Sequence, residues 1–198
     1  DNNIRRHDWD GLAAKLGSQE PDRLLESVER VVRKTLTKPD TRFNLSDELP
    51  LVWRTLEGRN RRGLLRMLLQ LALNPELPYW IDLMLSQLID PAQDREVLRQ
   101  FAREAGIEGA RAVALHLEAD KPGFWGLARD LIVGWGDDDR IKERLAGHLF
   151  SGSWSGSAVP MITARIQNAK KLLADSDPKL AQWAQEVVSG LEDWHRHE

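Results

Sequence analysis

The spacing of apolar residues commits this chain to helices. From Pro178, the residues Leu180, Ala184, Val187, Val188 and Leu191 fall at i, i+4, i+7, i+8 and i+11, one face of an α-helix. Asp177 stands at the N-cap position and Pro178 at the first helical position, where a missing N–H leaves no bond unmade. A second stripe, Ile162, Ile166, Ala169 and Leu173, precedes it across the tight turn "ADSD". Earlier still, Trp125, Ala128, Ile132 and Trp135 form a face, followed by the run "DDD" and then by Ile141, Leu145 and Leu149. A shift of 39 residues lays Ile141 on Leu180, Leu145 on Ala184 and Leu149 on Val188. Val97, Phe101 and Ala102 stand 44 residues before Ile141, Leu145 and Ala146. Helix, short acidic turn, helix, repeated at a period of roughly 40, predicts an all-α fold, an α-solenoid of stacked antiparallel helix pairs. Leu145 and Ala184 would then hold equivalent inward positions.

Upstream, "RRGLLRMLLQLAL" and "LPYWIDLMLSQLI" continue the helical pattern, and "PDRLLESVERVVRKTL" adds an amphipathic helix opened by "SQEPD". Residues 37–47, "TKPDTRFNLSD", read as a loop. No stretch alternates apolar and polar residues as a half-buried strand would. The chain therefore reads as a single helical-repeat region over 1–198, degenerate in 1–120 and clearest in 121–198.

The stretch "LLADSDPKLAQWAQEVVSGLE" resembles a HEAT repeat: a first helix ending in Leu, an Asp-x-Asp turn, then a second helix with small and aliphatic residues on its inner face. Gln182 stands where many HEAT repeats carry Arg. Together with the Gly-Ser-Trp-Ser-Gly joint before it, this pair also resembles the C-terminal helical-repeat ends of large multidomain bacterial proteins. The resemblance implies a regulatory or scaffold region that binds other proteins. A minority of HEAT-like folds bind DNA or act as base-excision glycosylases.

Composition narrows the function classes. The chain has no Cys, which removes disulfides, thiolate metal sites and Cys nucleophiles. A net charge of −3 is unlike the basic excess of most nucleic-acid binders. The charge is uneven, with 14 Lys and Arg against 11 Asp and Glu in residues 1–66, and 14 against 20 beyond. No apolar run approaches the ~18 residues that a membrane span needs. The first residue is Asp, and the expected context is a piece of a larger cytoplasmic protein.

The run "GSWSG" suggests the G-x-S-x-G elbow of a serine hydrolase, but that elbow needs Ser at its centre on a strand-to-helix turn. Here Trp154 holds the centre, between Ser153 and Ser155, and a helix precedes it. A phosphate loop needs Lys-Ser/Thr after its last Gly, and Ser157-Ala158 follows Gly156 instead. The stretch is therefore expected to be a joint. Gly152 and Gly156 allow its turns, Ser155 or Ser157 can cap the next helix, and Trp154 is expected either to be tucked between neighbouring helices as an anchor or to be displayed for a partner.

Arg59, Arg61, Arg62 and Arg66 in "EGRNRRGLLR" form the most electropositive cluster, a candidate contact for an anion or an acidic partner surface. Asp137, Asp138 and Asp139 stand side by side, a pattern that suits a helix cap better than a metal site. His116, His148, His195 and His197 fall in no metal-binding frame. Most of the eight Trp, including Trp53, Trp80, Trp125, Trp135, Trp183 and Trp194, are expected in the core. No catalytic residue, cofactor or metal is assigned. The expected function is a non-catalytic protein-interaction scaffold, with a nucleic-acid-binding solenoid using Arg59 to Arg66 as the alternative.

Overall fold

A computed structural model describes residues 15–37, 45–56, 58–74, 79–151 and 156–198. Every regular element among them is an α-helix. None of these helices is long and apolar enough to cross a membrane. The chain divides into two compact units, Asp1–Ile89 and Asp90–Glu198.

In the first unit, residues 15–19 are helical and are followed by α1 (Pro21–Thr37), α2 (Leu45–Thr55), α3 (Gly58–Leu71) and α4 (Tyr79–Leu88). α1 packs on α3, α3 on α4, and α2 on α4. Leu24, Val28 and Val32 of α1 and Leu64, Leu65, Leu68 and Leu69 of α3 are buried. Such stripes at spacings of three and four are what hold an amphipathic helix against its neighbours. Helix α2 corrects the loop expected over 37–47, because it begins at Leu45. The reason lies in packing: Leu49, Val52 and Trp53 form an inward stripe, and α2 tolerates Pro50 inside it. The expected loop residues 38–44 lie outside the described residues.

The second unit holds α5 (Arg95–Leu115), α6 (Phe124–Trp135), α7 (Asp139–Leu149), α8 (Val159–Leu172) and α9 (Pro178–His197). α5 is broken at Gly106, whose φ of 66° and ψ of −145° interrupt the helix. A side chain would be strained there, and Gly supplies the bend. α6 packs against α5, α7, α8 and α9, and α8 lies along α9. Phe124, Leu127, Ala128, Leu131 and Ile132 of α6 are all buried. This corrects the stripe read from the sequence: Trp125 and Trp135 are only half-buried, because the buried face runs through 124, 127, 128, 131 and 132, with Trp125 at its edge and Trp135 at the end of the helix.

Leu145 and Ala184 are both fully buried, as the 39-residue shift requires. Val97, Phe101 and Ala102 are buried as well. In α8 the inward face is Ala158, Ile162, Arg165 and Ala169. Ile166 and Leu173, expected to point inward, are half-buried. An arginine takes the inward place, for a reason found in its hydrogen bonds.

Candidate functional site

Aspartates stand at the start of three of the five helices described in the second unit. Asp94, Asp138 and Asp177 are the N-cap residues of α5, α7 and α9. Asp138 accepts from the backbone N–H of Ile141, and Asp177 from those of Lys179 and Leu180. Each such bond satisfies a donor that the first helical turn leaves unpaired. The three adjacent carboxylates diverge. Asp137 pairs with Lys179, Asp138 with Arg111 and Asp139 with Lys142, so they do not converge on one point.

The hydrogen bond from Arg111 Nη2, at 2.5 Å, holds the Asp138 carboxyl below the usual carboxylate range, and the Ile141 N–H adds to the effect. Asp175 is lowered in the same way, by Arg129 Nε at 2.7 Å and by the N–H of Asp177. His148 Nε2 lies 2.9 Å from the Ala114 carbonyl, to which it donates as the neutral ring. Burial pushes the His148 pKa down. His116 is the buried C-cap residue that follows α5.

The arginine cluster near residue 60 opens α3, as its sequence position implies. The Arg61 guanidinium lies 4.4 Å from the ring centroid of Trp53, a cation–π contact that ties α3 to α2. Arg62 is exposed and Arg66 half-buried. The side chain of Arg59 lies outside the described residues, as does that of Trp80. Trp154, with Gly152, Ser153 and Ser155, also falls outside them. Beyond it, Gly156 has a φ of 83°, Ser157 Oγ accepts from the Val159 N–H at 3.3 Å, and Pro160 sits in the first turn of α8.

A groove of about 260 Å³ runs between α7 and α9. Ala146, Phe150, Trp183 and Val187 form its apolar lining, and Asp139, Lys142, Glu143 and Glu186 its polar one. Trp183 is buried, and its indole N–H donates to the Lys142 carbonyl across the groove at 3.3 Å. Phe150 is the exception to burial, at 41% exposure. Its ring rests on Gly190, where a Cβ would come within 2.7 Å of Phe150 Cζ. Trp194, one helical turn further along α9, flanks it at a ring-centroid distance of 6.2 Å. Gly190 thus makes the seat on which an exposed aromatic ring is held. Along the groove, three carboxylates stand against one ammonium, and the ammonium is already paired with Asp139 at 2.7 Å.

No protein-family model, curated protein or solved structure matches the chain. The groove escaped sequence reasoning, which placed Trp183 in the core and did not single out Phe150. The available signal was small: Phe150 closes the face Ile141, Leu145 and Leu149, one residue out of phase, just before the glycine-rich joint.

Proposed function

We propose that this chain is a non-catalytic, HEAT-like helical scaffold whose α7–α9 groove binds a protein segment carrying both apolar and basic side chains. The observation that carries the reading is the exposed Phe150 ring, fixed on Gly190 inside an acidic rim. Amphipathic helices commonly dock in such grooves through apolar anchors one turn apart. An exposed aromatic anchor supplies contact area at little entropic cost, because its rotamer is already set. The rim of Asp139, Glu143 and Glu186 would select Lys or Arg in the partner and steer its approach. The recurrence of aspartates at the N-cap positions 94, 138 and 177, and the burial of Leu145 and Ala184, support the stacked helix-pair reading. The nucleic-acid alternative is weakened by Arg61, which is engaged with Trp53 rather than displayed.

A displayed peptide library selected against the folded chain tests this. Enriched peptides should combine Leu, Phe or Trp with Lys or Arg. Reversing two rim charges together, Glu143→Lys and Glu186→Lys, should weaken their binding about tenfold or more, roughly 1.4 kcal/mol. Both residues are exposed, so folding should survive. Enrichment of acidic peptides, or indifference to the charge reversal, would refute the proposal.

A further inference from the structure

A second cleft, of about 390 Å³, lies between α5 and α6, and its charge is opposite to that of the groove. Arg95, Arg99 and Arg103 are spaced i, i+4 and i+8 along the first segment of α5, which stacks them on one helical face. Across from them stands Asp130 of α6, whose side chain is only 12% exposed. Arg95 engages it through two nitrogens, at 2.8 and 3.0 Å, and also donates to the Gly126 carbonyl. That fork engages both Nε and Nη2 of Arg95. Arg99 Nε approaches the same carboxylate at 3.4 Å. Asp130 therefore serves two guanidinium groups with a single charge.

Arg99, Arg103 and Arg129 line the cleft, and Asp130 is the one acidic residue among its lining side chains. Arg129 is tied to Asp175 through Nε. Glu96, 3.6 Å from Arg99, is 75% exposed, and such a surface pair is worth little. Trp135, Val133 and Gly134 complete the wall, and Val133 is exposed for a β-branched residue, at 38%. Three guanidinium groups beside a half-buried indole suit one ligand chemistry. Planar forks match phosphate oxygens, and an indole face stacks on a flat ring.

We infer that the α5–α6 cleft binds a phosphate-bearing small molecule, with Arg99, Arg103 and Arg129 on the phosphate and Trp135 beside whatever the phosphate carries. Arg95 is a positioning residue that takes both oxygens of Asp130 and so limits the hold of that carboxylate on Arg99. The site is separate from the α7–α9 groove, and its test does not depend on that groove.

Titration calorimetry with inorganic pyrophosphate, adenosine diphosphate and a short polyglutamate distinguishes the possibilities. Pyrophosphate should bind with a Kd of about 100 µM or tighter at low salt, and more weakly as ionic strength rises. Adenosine diphosphate binding more tightly identifies a ring-bearing phosphate as the ligand class, and equal affinity identifies the phosphate alone. Both outcomes sustain the site. Arg99→Gln with Arg103→Gln should cut affinity at least about tenfold, whereas Arg62→Gln in the first unit should not change it. Arg103→Gln alone, at an exposed residue, should lower affinity without touching the ion pairs of Asp130, and it serves if the double variant fails to fold. Absence of pyrophosphate binding, retention of it in a folded Arg103→Gln protein, or tighter binding of polyglutamate would overturn the inference.

Discussion

Arg165 shows how a residue of the wrong polarity can hold an inward position. Its side chain is 4% exposed, yet its Nη1 donates to the carbonyls of Leu149 and Ser151, at 2.7 and 2.9 Å. Helix α7 ends at Leu149, so its last carbonyls have no helical partner and would otherwise be stranded. The guanidinium caps that end from a different helix. Its Nη2 also meets Asp120 at 2.7 Å, but Asp120 is 62% exposed, and an ion pair with one partner in water contributes little. Arg165→Met should therefore cost about 1–3 kcal/mol, the penalty for leaving the buried Leu149 carbonyl unpaired. Asp120→Asn should cost less than about 1 kcal/mol. Urea midpoints of the two variants compare them directly, and equal losses would mean that the ion pair carries the effect.

At the scale of elements, the helix starts are where local and long-range interactions share a side chain. Asp138 caps α7 through Ile141 and receives Arg111 from α5 on its two oxygens. Asn at this position keeps the cap acceptor and loses the charge. Ala loses both. Asp138→Ala should destabilise by about 1–2 kcal/mol, within the range for lost N-caps, and Asp138→Asn by clearly less. If the two variants melt together, the Arg111 pair rather than the cap fixes α7. The same economy marks α5, where Gly106 bends the helix. Further along, at Gly109, a Cβ would sit 2.6 Å from Ala105 Cβ and 3.1 Å from the Phe101 carbonyl. Bend and close approach together turn the second segment of α5 back on the first.

For the molecule as a whole, His148, Asp138 and Asp175 act on acid stability in one direction. The His148 pKa is depressed by burial, so between its folded value and about 6.5 the unfolded chain binds a proton that the folded chain does not. Stability is therefore lost as pH falls below about 6.5. Asp138 and Asp175 are depressed by their arginine partners. Their contribution is present above the unfolded carboxylate pKa, about 3.9, and is lost as pH falls through it towards the folded values. Urea unfolding across pH should show two stages of acid destabilisation. His148→Gln keeps a donor for the Ala114 carbonyl but cannot titrate, and it should flatten the upper stage while leaving the lower one intact. A variant that retains the slope near pH 6 would assign the upper stage to another group.

What the sequence determined by itself was local: helix type, helix starts and most inward faces. Asp177, Pro178 and the stripe Leu180, Ala184, Val187, Val188 and Leu191 needed no partner to be legible, because capping and a 3.6-residue period act within one segment. The 39-residue shift also placed Leu145 and Ala184 in the interior. Tertiary structure decided the rest. Periodicity marks a stripe but leaves its edges uncertain by one residue, a turn of about 100° on the helix surface. That uncertainty exchanged Ile166 for Arg165 and left Trp125 and Trp135 half-buried. Both proposed sites belong to this second class. The groove depends on Phe150 coming to rest on Gly190, and the cleft on Arg95 reaching Asp130 across 35 residues of chain. Such contacts arise only when separate helices are brought side by side, and no spacing within one helix encodes them.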